Sequence, residues 1–373
     1  METYRLSSKL RENDTEYLIQ TANDANLGAV YTTTYVNGVV AERIACPHPV
    51  QVDPQEVLSL VKGSHQEKKR EVETLLNAYR TVIRQGDAET MYQLGTAFFY
   101  KGFFTEAREL FYHTTLARKE HHQGLNYLGM TELMLGNKTE AIEAARRAVE
   151  LRPRFADYRN NLGEALLADR QCEEAIAQFE EAVSINMYYS DAYFNLALAH
   201  MTDAHLHADP AGWPQRHTRI LDLVRKAALI YERYRGREYD AGMEALQRGD
   251  VREAMNIFKS IRETRRNGSR QEFASFHMKF LTLGDWVSEK AIADRISFLR
   301  GEINKNPTYV DLHAELAQCY LEQSKMAWQN GIDQYAKAIE INRGLKRVSQ
   351  SKQAAEDVYE RMTSAMSQIT EKG

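Results

Sequence analysis

The sequence predicts a mainly α protein: a right-handed α-solenoid of about seven stacked helical hairpins with a C-terminal capping helix, preceded by a small antiparallel β-sheet and one long helix. Three observations predict it. A 34-residue internal period runs through the middle of the chain. Within each period, two apolar stripes at helical spacing are separated by a short polar turn. Ahead of the first period, residues 1–87 change character to β-branched and aromatic runs, two of them joined by Asn37-Gly38, the strongest two-residue hairpin signal.

Several independent columns share the period. Leu94-Gly95, Leu128-Gly129, Leu162-Gly163 and Leu196-Ala197 recur every 34 residues, as do Ala107, Ala141 and Ala175, each followed four positions on by Phe111, Ala145 and Phe179. In the third unit the stripes are Tyr158-Leu162-Ala165-Leu166 and Ala175-Ile176-Phe179-Ala182-Val183, split at Asp169 and Arg170. A glycine inside a helix costs about 1 kcal/mol relative to alanine, so close helix-to-helix approach is expected at Gly95, Gly129 and Gly163. One hairpin cannot bury its own stripes. Units must therefore stack, giving a superhelix with a concave inner face.

These residues carry a resemblance. AETMYQLGTAFFYKGFFTEARELF, GLNYLGMTELMLGNKTEAIEAARRAVELRP and NNLGEALLADRQCEEAIAQFEEAVSIN resemble tetratricopeptide repeats, with the Leu-Gly pair, the later Ala-x3-Phe and a terminal proline, Pro153. The leading tryptophan of that pattern is replaced by Met91, Leu125, Arg159 and Tyr193. The resemblance extends over about residues 88–342. GMEALQRGDVREAMNIFKSI repeats the scheme with Gly242, Gly249, Ala254 and Phe258, displaced by eleven residues, so the fourth unit is expected to carry an eleven-residue insertion within 201–216. A degenerate sixth unit and a seventh, DLHAELAQCYLEQSKMAWQNGIDQYAKAIEIN, follow. Residues 343–373 then read as a capping helix and tail, with Ala354, Ala355, Val358, Tyr359, Met362 and Met366 on one face.

Residues 1–87 carry no recognisable family motif. EYLIQTA, GAVYTTTYV and VVAERIAC read as three strands, and Asp53, Pro54 and Glu56 occupy N-cap, first-turn and capping-box positions of a helix through about Arg84. A segment this small leaves little room for an enzyme core. It reads as a cap for the solenoid, with exposed sheet edges offering a route to self-association.

With 43% hydrophobic and 27% charged residues, seven prolines and a net charge of −4, the 373-residue chain is expected to be well ordered. It shows no signal-peptide pattern and no run of about 18 apolar residues, and Cys46, Cys172 and Cys319 are too far apart for a metal knuckle. A cytoplasmic protein with reduced thiols is expected. No phosphate-binding glycine loop, HExxH or GxSxG motif occurs, so catalysis has no motif support and no cofactor is expected.

HMTDAHLHADPAGWPQRH, residues 200–217, holds four of the eleven histidines. His200, Asp203, His205, His207 and Asp209 form a weak candidate Zn²⁺ ligand set. The period splits them, however, placing His200 on one helix and His217 on the next. Trp213, between Pro210 and Pro214, is the expected contact residue of this loop. From Arg216 to Arg270 the chain has fourteen Lys and Arg against eight Asp and Glu, a solvated helix surface or a docking patch for an acidic partner. Arg262, Arg265, Arg266 and Arg270, around Asn267-Gly268, read as a phosphate-binding cluster or as a polar turn between repeats. The mildly acidic chain lacks a nucleic-acid module, which argues against a nucleic-acid partner.

The resemblance implies a protein or peptide partner bound along the concave face by the first helix of each pair. Carried over position by position, that face comprises Tyr92, Thr96 and Phe99; Asn126 and Met130; Asn160, Asn161 and Glu164; Phe194 and Asn195; and Tyr239 and Met243. Asparagine amides offer a donor and an acceptor to an extended backbone, and methionine and aromatic side chains give adaptable apolar contacts. The same aromatics would serve equally as core between repeats. The basic clamp by which a chaperone-binding subgroup holds a terminal carboxylate has no counterpart at these positions. The expectation is a non-enzymatic, cytoplasmic interaction scaffold or adaptor; the alternatives are a receptor for a short signalling peptide and a metal-dependent enzyme using the histidine-rich loop.

Overall fold

In the computed structural model, residues 4–24, 26–49, 53–85, 88–207, 212–281, 289–305, 310–342 and 346–372 are described. The N-terminal sheet is a four-stranded antiparallel meander, β1 (Arg5–Glu12), β2 (Thr15–Asp24), β3 (Ala29–Val36) and β4 (Val39–Pro47), in that order. β1 is one strand more than the sequence suggested. Its outward positions Arg5, Ser7, Lys9 and Arg11 are all exposed and polar, and the inward ones include Ser8 and Glu12, so no apolar alternation announces it. Asn13, at φ 49°, turns it into β2, just as Asn37 and Gly38, at 49° and 81°, turn β3 into β4.

β2 alternates strictly, and its inward Tyr17 and Ile19 are fully buried. Against this face lies α1 (Pro54–Gln85), started as expected by Asp53, whose carboxylate accepts from the Gln55 amide at 2.9 Å. Polar groups fix the docking. The His65 ring sits 2.8 Å from Ser8 Oγ and 3.1 Å from Thr21 Oγ1. Four charges meet where sheet, α1 and the first repeat converge: Lys101 Nζ lies 3.0 Å from Glu42 and 2.5 Å from Glu71, and Lys68 bonds the same two carboxylates. Burial opposes the Lys101 charge, yet Glu42 and Glu71 together hold its pKa above the ordinary lysine value.

The repeats begin with α2 (Ala88–Lys101) and α3 (Phe104–Ala117), continue with α4 (His122–Leu135) and α5 (Lys138–Leu151), and then α6 (Ala156–Ala168) and α7 (Cys172–Ile185). At the glycine column the paired helices approach closely. A Cβ on Gly95, Gly163 or Gly242 would meet the rings of Phe111, Phe179 and Phe258 at 2.8, 2.6 and 2.7 Å. In the second pair Ala145 replaces the phenylalanine, and Gly129 instead lies against the Ala141 carbonyl, 3.0 Å from where its Cβ would stand. α4 ends in a left-handed Gly136 at φ 87°, with the Asn137 amide donating to Glu132 O at 2.9 Å. At the equivalent turn of the third pair, Arg170 takes the left-handed conformation, at φ 64°.

The fourth pair is α8 (Ser190–Leu206) and α9 (Trp213–Ile230). Its eleven extra residues are absorbed mainly by the helices: α8 has 17 residues where α6 has 13, and α9 has 18 where α7 has 14. What looked like a loop is largely an extension of two helices by one turn each. The fifth pair is α10 (Arg237–Gln247) and α11 (Val251–Leu281). α11 departs from expectation. Instead of a turn at Asn267-Gly268, one 31-residue helix runs through both residues.

A second compact unit begins at Asp285. It consists of α12 (Glu289–Lys305), α13 (Val310–Ile341) and α14 (Lys346–Lys372), with α13 packed against both others. The seventh hairpin is not formed as predicted: α13 is one continuous helix across the span expected to hold both helices of that unit, and the expected turn of the sixth unit lies outside the described residues. On α14, Ala355, Tyr359 and Met362 are half-buried while Ala354 and Val358 are exposed, and the Trp328 indole of α13 donates to Ala355 O at 2.9 Å. The predicted Met366 contact lies outside the described side chains.

Candidate partner-binding groove

The first helices of successive hairpins touch one another, α2 with α4, α4 with α6 and α6 with α8. Helices on the inside of a curved stack are the ones brought together, so these line the inner face. Along it runs a ladder of side-chain amides. Asn161 Nδ2 on α6 donates to Asn126 Oδ1 on α4 at 3.0 Å and lies 3.4 Å from Met130 Sδ. One hairpin further, Asn195 Nδ2 on α8 donates to Asn160 Oδ1 and to Glu164 Oε1 on α6, both at 2.9 Å. The asparagines therefore hold one another across hairpins, and Asn126, Asn160 and Asn195 are buried.

The predicted aromatic contacts divide. Phe99 is buried among Phe104 and Tyr127, and Phe194 is 1% exposed, stacked on Tyr234 at 4.4 Å. Both are core between repeats. Tyr92 is half-buried against Phe111, Tyr127 and His121, and the Thr96 hydroxyl donates back to Tyr92 O. Tyr239 and Met243 are half-buried on α10, packed on the core around Phe258.

α11 adds what sequence reasoning missed. Beyond its pairing with α10, this helix packs against α8 and α2, first helices of the fourth and first hairpins. Arg262 Nη1 donates to Asn195 Oδ1 at 3.4 Å, Arg265 pairs with Asp191, and Arg266 pairs with Glu164. Arg265 also lies over the rings of Tyr231 and Tyr234, at 4.2 and 4.5 Å. Burial would raise the Glu164 carboxyl, but Arg266 and Arg262, with hydrogen bonds from Arg266 and Asn195, hold it below the ordinary carboxylate value. Conversely, Glu164 keeps Arg266 above the ordinary guanidinium value. The i, i+3, i+4 spacing of these arginines puts them on one helical face, a signal masked by Asn267-Gly268, which reads as a turn.

The histidine-rich stretch is dispersed. His200 is buried in α8, its pKa pushed down to about 4 by burial and then by Arg219 and Arg216, while His205 and His207 are exposed. The Asp203 carboxylate is engaged by Arg216 at 3.0 Å and by His207 Nδ1 at 2.9 Å. Asp209 lies outside the described residues. Among the described residues, no three His, Cys, Asp or Glu side chains converge as metal ligands, and no helix is long and apolar enough to cross a membrane. Trp213 opens α9 and packs on His217, ring centroids 5.2 Å apart, against the array's own core.

The tetratricopeptide repeat model matches residues 92–156 and 135–190. Residues 92–190 are tetratricopeptide repeats. Solved structures similar to this repeat array include MamA, at 23% identity and TM-score 0.35 over 47% of this chain and 96% of that one. YrrB, described as a tetratricopeptide repeat protein with an unusual peptide-binding site, aligns at 21% identity and TM-score 0.36 over 45% of this chain and 81% of its own. A thermophilic tetratricopeptide repeat protein of Thermus thermophilus aligns at 17% identity and TM-score 0.35, over 63% of this chain and all of its own. No curated protein matches the chain.

Proposed function

We propose that this protein is a non-enzymatic, cytoplasmic scaffold or adaptor that binds a partner segment along the inner face of its tetratricopeptide repeats. One observation carries the reading: side chains from successive first helices join into a continuous lane, Asn126, Asn161 and Met130 leading into Asn160, Asn195 and Glu164. A lane that spans hairpins suits an elongated ligand, which gains contacts from each unit it crosses. A photo-cross-linking residue at the half-buried Met130 should capture a partner, while one at Glu143, exposed on α5, should not. Equal capture from both positions would refute the reading.

The sheet supports a second contact. β4 is an edge strand with Val39, Val40 and Ile44 at 71, 55 and 44% exposure. Apolar edges invite strand addition, so self-association through β4 is part of the proposal. Light scattering should show a concentration-dependent mass that Ile44→Lys abolishes; a constant monomer mass would remove this element.

A further inference from the structure

The inner lane already holds a helix. Three arginines on one face of α11 meet residues of α6, α8 and the Tyr231–Tyr234 segment: Arg262 at Asn195, Arg265 at Asp191 between the tyrosine rings, and Arg266 at Glu164. These contacts lie 67 to 102 residues apart in sequence, so they are acts of recognition by the lane rather than local helix pairing. The chemistry is selective. A planar guanidinium donates in parallel to a carboxylate and stacks on an aromatic face, which a lysine ammonium does not reproduce.

The segment so held is a poor helix by itself. Asn267, Gly268 and Ser269 interrupt it with residues of weak helix propensity, yet α11 stays helical through them and reaches α2. The three arginines stand on the turn just before these residues, and a segment held by ligand-like contacts to the lane is one that a competitor of the same chemistry can replace.

We propose that the inner lane is a receptor for an arginine-bearing helix and that α11 is its resident occupant, so that a partner helix presenting guanidiniums at i, i+3 and i+4 binds by displacing residues 262–281. This rests on the groove reading above and specifies its ligand: a basic amphipathic helix, matched to Glu164 and Asp191. It also makes capture conditional on release of α11, a built-in competitor at high effective concentration.

The test uses the full chain. In a Glu164→Gln/Asp191→Asn variant, amide hydrogen exchange over residues 262–281 should accelerate at least tenfold, while α4 to α7 stay as protected as in the wild type. Unchanged exchange over 262–281 would overturn the proposal. As a trans probe, a fluorescein-labelled peptide of residues 251–281 should bind the Arg262→Glu/Arg265→Glu/Arg266→Glu chain at least tenfold more tightly than the wild type. The same peptide with Lys at 262, 265 and 266 should bind at least tenfold more weakly. Equal binding by both chains, or by both peptides, overturns it. The two readings separate cleanly: partner capture at Met130 with no peptide preference leaves the groove and removes the arginine code, whereas peptide preference with no capture at Met130 removes the displacing partner and leaves α11 as an internal strut.

Discussion

A side chain on Gly163 would place its first carbon 2.6 Å from the ring of Phe179, closer than any relaxed contact. The glycine and the phenylalanine, 16 residues apart, are therefore fitted to each other, and the pairing recurs as Gly95 with Phe111 and Gly242 with Phe258.

Gly163→Ala should thus destabilise the array although alanine is the better helix former. Overpacking costs about 1–3 kcal/mol, against a propensity gain of about 1 kcal/mol. The excess shows as a lowered urea midpoint. Adding Phe179→Leu, which removes the ring in the way, should recover part of the loss; a midpoint raised by Gly163→Ala alone would contradict the packing.

Arg170 offers the opposite case. It is exposed and left-handed at φ 64°, where its neighbouring repeat uses Gly136. A side chain in that conformation costs about 1 kcal/mol that glycine avoids. Arg170→Gly is therefore expected to stabilise the protein by up to about 1 kcal/mol in thermal unfolding, and any loss of stability would count against the turn geometry.

The buried cluster of Glu42, Lys68, Glu71 and Lys101 makes the sheet and the repeats interdependent. Lys101→Met leaves two carboxylates to one ammonium in a buried site, a change worth about 3–5 kcal/mol. Calorimetry should show a large fall in Tm. A double variant, Lys101→Met with Glu71→Gln, rebalances the charge and should lie closer to the wild type.

Acid should weaken the fold through two histidines. The His122 ring, buried and bonded to the Tyr158 hydroxyl at 2.7 Å, is held down to about 4, first by burial and then by Arg152, and His200 likewise to about 4. Both folded values lie below the ordinary 6.5, so the unfolded chain takes up the proton more readily. Their contribution is complete above about pH 6.5 and is lost as pH falls toward 4, by at most about 3 kcal/mol each. His200→Leu keeps the packing and removes one titration, since His200 Nε2 has no hydrogen-bond partner among the described residues. Its Tm should fall less between pH 7 and 5 than that of the wild type, and parallel curves would refute this.

The asparagine ladder changes what a groove variant means. Asn195→Ala would strip donors from both Asn160 and Glu164, so it is a stability variant before it is a binding one. The resemblance to tetratricopeptide repeats, carried over position by position, put Asn126, Asn160, Asn161 and Asn195 on the expected inner face. It did not reveal that they face each other, since partners 35 residues apart meet only once the hairpins stack.

What the sequence determined by itself is whatever repeats locally: the 34-residue hairpin, its glycine column, the Asn37-Gly38 turn, the Asp53 cap and the eleven-residue insertion. Each follows from spacing, propensity or turn chemistry over a few residues. The tertiary structure decided the rest. β1 is too polar to announce itself and forms by pairing with β2, α11 runs straight through Asn267-Gly268, which reads as a turn, and α13 is one helix where a hairpin was expected. For α11 the reason is visible. Asn195, Asp191 and Glu164, 67 to 102 positions away, meet Arg262, Arg265 and Arg266 on the turn just before Asn267-Gly268, and partners so distant leave no trace in the local spacing.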